Sequence, residues 1–516
     1  MKAVIPTALA CAVALGSVLA AAACGSDEDP AGGQYAEGKT FTMILSADPG
    51  NLDPHFAALS VTLQADRFLY DSLVSVDASG KLVSGLAEKW EATTTKAVFT
   101  LRKGITCSDG SPLTATQVAE NISFVGDPKN ESPRIGVWVP PGATATGDDA
   151  SGTVTVNSPQ PSAFLDRTVG GLQIVCAKGM KDRNQLKQGA VGTGMFTLSE
   201  AVANDHYTFK RRKDYAWGPG QWKADQPGLP ETVVLKVVSN ETTAVNLVAS
   251  DQANAAMVVG PDGARLAGMN LHKREQLAAL GELWFNQKAG LPAENEATRR
   301  ALTQALDLKQ LAQVVGSGAG KTPTGLVPPG ISPCTEDTIG SRLPAGDPNA
   351  AKAALSGKNL KLTFLYVTTL GPGMQAGAEL LQKAWEAAGV QVTLKGVTNA
   401  EIGQVILGGQ GSWDAAFLPV GVTLPSELVP FFSGPGAPNG LNFSSVTNDA
   451  YTTAVTAAAA MPGAAGCAQW AAAERALIEQ VDVVPFVYSA VPTYGKGATF
   501  ELINGTVDPT SVRMLG

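Results

Sequence analysis

The feature that most constrains the fold lies between residues 360 and 397, where the chain reads strand, helix, strand. An apolar run over 360–367 is followed by a helical stretch over 373–388 with Leu381, Ala384, Trp385 and Ala388 on one face. Gly389 stops that helix, and 390–397 is again apolar and β-branched. A strand–helix–strand unit of this length implies parallel pairing through a right-handed crossover. A helix candidate over 400–407 and a strand over 415–418 continue the alternation. The fold class is therefore α/β, with ligands expected near strand ends.

The chain has 516 residues, enough for about three domains or one large bilobed body. With 44% hydrophobic and only 16% charged residues it can fill real cores, which excludes wholesale disorder. A net charge of −8 argues against nucleic acid or an anionic lipid surface as the main partner. Residues 1–23 hold one lysine and then an apolar run of roughly twenty positions ending in small residues, the layout of a secretory signal peptide. A spanning anchor is possible on length, but the small residues before Cys24 and the polar tail after it favour cleavage. The stretch Leu19-Ala20-Ala21-Ala22-Ala23-Cys24-Gly25-Ser26 resembles a bacterial lipoprotein signal, although Ala21 stands where that pattern prefers Leu. The resemblance implies that Cys24 becomes the diacylated amino-terminal residue, on the outer face of a membrane. Residues 24–39 then form a polar, Gly-rich tether.

Of six cysteines, Cys11 leaves with the signal and Cys24 takes lipid, so Cys107, Cys176, Cys334 and Cys467 remain. In an oxidising space they most simply make two bridges, in any of three pairings; buried free thiols are the other reading. Three scattered His and no C-x-x-C pair give no zinc signature, so no metal and no cofactor is expected.

Further elements follow from periodicity and turn chemistry. The spacing over 61–76 is nearer helix than strand, 97–101 reads as strand, and Thr114 is placed to cap a helix starting near Ala115. Strand-like runs recur at 153–157, 207–210 and 232–238, a long helix is expected over 295–315, and 454–473 is helical with a break at Pro462-Gly463. The stretch Val315-Gly316-Ser317-Gly318-Ala319-Gly320-Lys321-Thr322 looks like a phosphate-binding loop. It follows a helix instead of a strand, has Val315 where the first Gly belongs, and runs into Pro323 where a helix should start, so it is read as an ordinary loop. Neither G-x-S-x-G nor H-E-x-x-H occurs, and no enzyme is expected.

A series of short blocks carries a resemblance. Leu52-Asp53-Pro54-His55, Leu69-Tyr70-Asp71-Ser72-Leu73, Gly85-Leu86-Ala87-Glu88-Lys89-Trp90 and Phe99-Thr100-Leu101-Arg102-Lys103-Gly104 come first. Ser108-Asp109-Gly110-Ser111-Pro112, Val191-Gly192-Thr193-Gly194, Trp284-Phe285-Asn286, Arg299-Arg300-Ala301-Leu302 and Val484-Pro485-Phe486 follow in order. Together, over roughly residues 40–500, they resemble the family 5 extracellular solute-binding proteins, the oligopeptide, dipeptide and nickel-type receptors of ABC importers.

The resemblance implies a two-lobed, periplasmic-binding-protein-like α/β fold of type II with an additional third domain and a ligand cleft between the lobes. On it, lobe I comprises 40–60, 189–286 and 484–516, the additional domain 61–188, and lobe III 287–483. The pairings Cys107–Cys176 and Cys334–Cys467 then each fall inside one unit. The implied partners are a small solute, a peptide by default, and the permease subunits of an importer; the membrane is met through the lipid anchor only, and a monomer is expected. Expected ligand contacts are Leu59 and Ser60 after the Leu-Asp-Pro-His block, Trp284 and Asn286 at the crossing between lobes, and Trp413, Leu418 and Gly421. Trp138, in a Pro/Gly-rich loop, is added from the residues alone, and for every Trp core packing competes with ligand contact. In peptide-binding members an Asp after a Trp-x-x-Asp pattern holds the peptide amine; here Leu418 and Gly421 occupy those places. A buried ammonium without its carboxylate is costly. Either Asp414 or Glu427 serves instead, or the solute is a nickel chelate, sugar, opine or other non-peptide. Outside the family, a secreted hydrolase or a cell-envelope structural or signalling protein are the other readings.

Overall fold

The computed structural model describes residues 34–516 apart from positions 58, 78, 79, 188, 261 and 371. The signal peptide, Cys24 and the first part of the tether lie outside the described residues. A ten-stranded sheet runs through the molecule in the order Gln391–Val397, Lys361–Val367, Ala415–Phe417, His272–Phe285, Val483–Gly495, Ala255–Met257, Thr40–Leu45, Thr232–Val237, His206–Arg211, Phe196–Val202.

Each half of this sheet has its own parallel core. Thr40–Leu45 lies parallel to both Thr232–Val237 and Ala255–Met257. Lys361–Val367 lies parallel to Gln391–Val397 and Ala415–Phe417, with helix Pro372–Ala387 making the crossover expected from the sequence. What joins the halves is a pair of long antiparallel strands, His272–Phe285 and Val483–Gly495. At one end Gly495 pairs with Ala255 and His272; at the other, Leu283 pairs with Phe417. In between, Leu277–Ala279 faces Tyr488–Ala490, and the register slips between Ala279 and Glu282. A bulge bends its strand and increases local twist, so the ribbon is bent where it passes from one half to the other.

A separate four-stranded antiparallel sheet is ordered Ala87–Ala92, Lys96–Leu101, Thr153–Asn157, Thr144–Asp148. Helix Ala115–Gly126 packs on it, and Thr114 Oγ1 accepts from the Gln117 N–H at 3.3 Å, the cap the sequence calls for. The core of this sheet is continuous with that of the first half through Phe68, Phe99, Phe196 and Phe209. Disulfides join Cys107 to Cys176 and Cys334 to Cys467.

Two helices differ from the periodicity. The 61–76 pattern is helical only over Ser60–Leu69, because Tyr70 turns extended and the Leu69–Tyr70 backbone is pressed by Gly192 and Gly194. A Cβ at Gly192 would lie 2.3 Å from Leu69 O, which explains the Val-Gly-Thr-Gly block as a close approach of two backbones. The 295–315 pattern is two helices, Glu296–Gln304 and Leu308–Val315. Asp307 breaks it by accepting the N–H groups of Lys309 and Gln310, each at 3.0 Å, which starts a second helix. The Ala-rich stretch is two helices, Asp449–Ala459 and Cys467–Glu479, parted at Pro462 as expected. The Gly-rich stretch after Val315 is a loop, and Lys321 pairs its backbone with Tyr488.

Candidate functional site

The parallel strands of the two halves end facing the same place. Beyond Met257 the chain runs alongside the ribbon, Val258 N–H donating to Pro492 O at 3.1 Å. Beyond Phe417 it does so from the other half, Leu418 N–H donating to Glu282 O at 3.1 Å. Thr40–Leu45 points the same way as Ala255–Met257, so the segment 46–60 opens on that side too. The carboxyl ends of strands from both halves thus converge on the bent middle of the ribbon, where an open α/β sheet binds its ligand. Here the ribbon is only half-buried, over 276–280 and 489–492, while 281–285, 483–488 and 493–495 are buried. Large apolar side chains are exposed at the converging ends: Leu59, Met257 and Val259, at 61%, 39% and 62%. Exposed apolar side chains at a cleft suit a solute with an apolar body.

The expected contacts divide into two groups. Leu59 and Ser60, at the start of helix Ser60–Leu69, and Gly421 are exposed, and Leu418 is half-buried. Trp284, Asn286 and Trp413 come together with Leu418 but as packing. Trp284 is fully buried, stacks on Phe432 at 4.9 Å, and its Nε1 donates to Leu418 O at 2.7 Å. Asn286 Nδ2 donates to Trp413 O at 2.9 Å, and Trp413 packs near Phe443. In this conformation they set the shape of the loop carrying Leu418 and Gly421 and offer no open ring to a solute. Trp138 lies elsewhere, its ring against Gly171.

Neither acid considered as a replacement for the missing carboxylate is free. Asp414 Oδ2 accepts from Thr363 N–H at 2.7 Å. Glu427 accepts from the backbone of Thr423 at 2.7 Å and its hydroxyl at 3.0 Å. Sequence reading missed a third acid, Glu282, on the ribbon itself. Its carboxyl is buried and accepts from Val420 N–H at 2.9 Å and Trp284 Nε1 at 3.3 Å. Burial pushes its pKa up to about 8 against those two hydrogen bonds, so the group is mostly neutral at pH 7. An acid inside a strand-forming, apolar stretch gives no periodic signal of its role, which only the turn at 418–421 creates.

The family blocks turn out to build the scaffold. Asp71 accepts from Thr193 Oγ1 at 3.1 Å, joining two of them, and also from Tyr215 Oη at 3.1 Å and Trp217 Nε1 at 3.0 Å. Arg299 is buried, pairs with Asp482 at 3.0 Å and donates to the carbonyls of Ala293, Glu294, Gln480 and Val481. Among the described residues no group of three or more His, Cys, Asp or Glu could hold a metal ion. No helix among them is long and apolar enough to cross a membrane.

Two α/β halves sharing one bent ribbon, with strand ends meeting at the bend, define a two-lobed solute binder of the periplasmic-binding-protein type. The model of the bacterial extracellular solute-binding proteins, family 5 (Middle), matches residues 81–431, and the chain belongs to that family. It is a solute-binding protein of the ABC-importer class. It is 24% identical over 443 residues to the glutathione-binding protein GsiB of Escherichia coli strain K12, covering 80% of this chain and 84% of that one. Among solved structures, a substrate-binding protein from Microbacterium hydrocarbonoxydans complexed with 4-hydroxybenzoate hydrazide is 27% identical, with a TM-score of 0.72 over 92% of this chain and 100% of that one. The ABC transporter substrate-binding protein CtaP of Listeria monocytogenes shares the fold, at 17% identity, with a TM-score of 0.78 over 93% and 100%.

Proposed function

We propose that the chain is a receptor, anchored through lipid on Cys24 to the outer face of the cell membrane, that captures a small peptide by lobe closure and hands it to an importer permease. The lobes are 40–60 with 189–286 and 484–516 on one side and 287–483 on the other, with 61–188 as the added domain. Convergence of strand ends from both sides on a bent, half-buried ribbon carries this reading, because a solute held there touches both lobes and favours the closed state. Leu59, Ser60, Leu418 and Gly421 are the first contacts; Trp284, Asn286 and Trp413 support them from behind. The glutathione-binding relatives favour a short peptide. With Gly421 at the usual amine-binding position, the peptide amine is held by backbone carbonyls or left at the cleft mouth. The receptor acts as a monomer and performs no chemistry on its cargo.

A non-peptide solute is the second reading, favoured by the hydrazide bound to the Microbacterium relative and by the commitment of Asp414 and Glu427 to backbone. Thermal unfolding with a panel of di- and tripeptides, glutathione, a nickel chelate, sugars and 4-hydroxybenzoate hydrazide separates the two. A tight solute raises Tm by mass action. A shift from peptides supports the first reading; a shift from the hydrazide, chelate or a sugar with none from any peptide overturns it. Mass spectrometry of the membrane-extracted protein tests the anchor, which is refuted by an amino terminus other than a diacylated Cys24.

A further inference from the structure

Away from the ribbon, the structure contains a cavity of about 140 Å³. It lies between helix Ser60–Leu69, the segments near Trp138 and Trp217, and the C-terminal stretch 504–510, and no residue from 220–503 lines it. It is therefore not the cleft described above. An apolar cavity of comparable size admits a molecule as large as benzene. This one is mixed: Leu63, Trp138, Leu172 and Met195 give it apolar walls, and Arg67, Arg134, Asp71 and Asp508 give it charge.

The charges are balanced in number but not in hydrogen bonding. Asp71 already accepts from three side chains. Asp508 accepts from the Thr510 N–H at 3.0 Å and its hydroxyl at 2.9 Å. The cations are different. Arg67 makes no hydrogen bond or ion pair among the described residues, although burial lowers its pKa and Asp508 and Asp71 lie close enough to oppose that shift. Arg134 donates only from Nε, to Pro54 O at 3.3 Å, which leaves its two terminal nitrogens without a protein acceptor. Asp66, the acid that acts on Arg134, has both carboxyl oxygens unpartnered and fully buried, and burial raises its pKa well above the usual range, so it supplies no full countercharge. The cavity thus presents unmet donors beside satisfied acceptors. A guanidinium fork matches the two oxygens of a carboxylate.

We propose that this cavity is a second binding site, separate from the interlobe cleft, for a small organic carboxylate whose oxygens accept from the free guanidinium N–H groups of Arg67 and Arg134. Its short apolar chain lies against Trp138 and Met195. Occupancy ties together helix Ser60–Leu69, the 134–138 loop and the C-terminal stretch, which are distant in sequence.

The test is thermal unfolding and calorimetric titration of the full chain with sodium butyrate, against 1-butanol at ionic strength matched with sodium chloride. Butyrate is expected to bind in the millimolar range and raise Tm, while butanol does neither. Arg67→Gln is expected to weaken butyrate at least tenfold without lowering the Tm of the unliganded protein, since Arg67 holds no hydrogen bond there. Arg134→Gln, whose Nε does hold one, is expected to weaken butyrate similarly, and Arg67→Lys to retain part of the affinity. The proposal is overturned by equal shifts from butyrate and butanol, by no butyrate binding, or by unchanged affinity in both glutamine variants. Crystals soaked in butyrate that show only water between the two guanidinium groups overturn it as well.

Discussion

Glu282 sits where two demands conflict: its strand must cross from one half to the other, and its carboxyl must sit among Trp284, Val420 and the ribbon without water. Burial wins and the proton stays on. A carboxyl whose pKa rises from about 4.5 free to about 8 folded gives stability that is complete below 4.5 and is lost as pH rises through 8. Glu282→Gln keeps the acceptor for Val420 N–H and removes the titration. Its stability measured by denaturant should match the parent near pH 4.5 and exceed it increasingly toward pH 9, with up to about 1.4 kcal/mol of slope per pH unit removed. Parallel stability curves for the two proteins would refute the assignment. Asp71, raised by burial to about 6, titrates alike in both proteins and cancels from the difference, whereas Glu474, raised by burial to about 7, acts on Glu282 and its contribution is separated by a parallel Glu474→Gln series. At this scale the sequence was readable where a residue's chemistry is local, as with Thr114 and its cap, and opaque where a partner comes from afar. Trp284 and Trp413 looked equally fit for ligand or core, and only the arrival of Phe432 and Phe443 decided it.

Among the elements, the alternation over 360–397 carried nearly all the legible fold, since period and length there admit one arrangement. The 295–315 pattern misled for a physical reason. Two amphipathic helices with similar apolar faces concatenate into one apparent stripe, and a single Asp307 capping its own successors breaks the backbone without breaking the stripe. The disulfides belong to this scale. Cys107–Cys176 is buried and fastens the loop after the interior strand Lys96–Leu101 to the segment before helix Ala177–Lys181. Its loop of 69 residues predicts a loss of about 4 kcal/mol on Cys107→Ser with Cys176→Ser by chain entropy. A midpoint in urea unchanged from the parent would show that the loop is ordered without it.

For the whole molecule, contacts bridge distant segments at one rim. Arg167 donates to Ile331 O at 2.6 Å and to Gly80 O at 2.8 Å, Phe164 stacks on Trp470 with centroids 6.1 Å apart, and Gly463 N–H donates to Ala163 O at 2.5 Å. The contacts with Ile331, Trp470 and Gly463 join the 163–167 segment to loops from the opposite half, while that with Gly80 stays on its own side. On the lobe closure proposed above they favour the closed state, so Phe164→Ala with Arg167→Ala should enlarge the radius of gyration in solution scattering and weaken the solute about tenfold, which is about 1.4 kcal/mol. An unchanged scattering curve and affinity would remove the rim from the mechanism. None of this was visible in the residues, because no local pattern marks a contact that forms only when two bodies meet.

The ribbon has one more consequence, for biogenesis. Strand Ala255–Met257 completes its pairing only when Val483–Gly495 is delivered, so the amino-terminal half keeps a raw sheet edge until almost the last residues exist. The native sheet therefore cannot be completed while the chain is still emerging, and a product truncated before Val483 leaves that edge open to pairing with another chain.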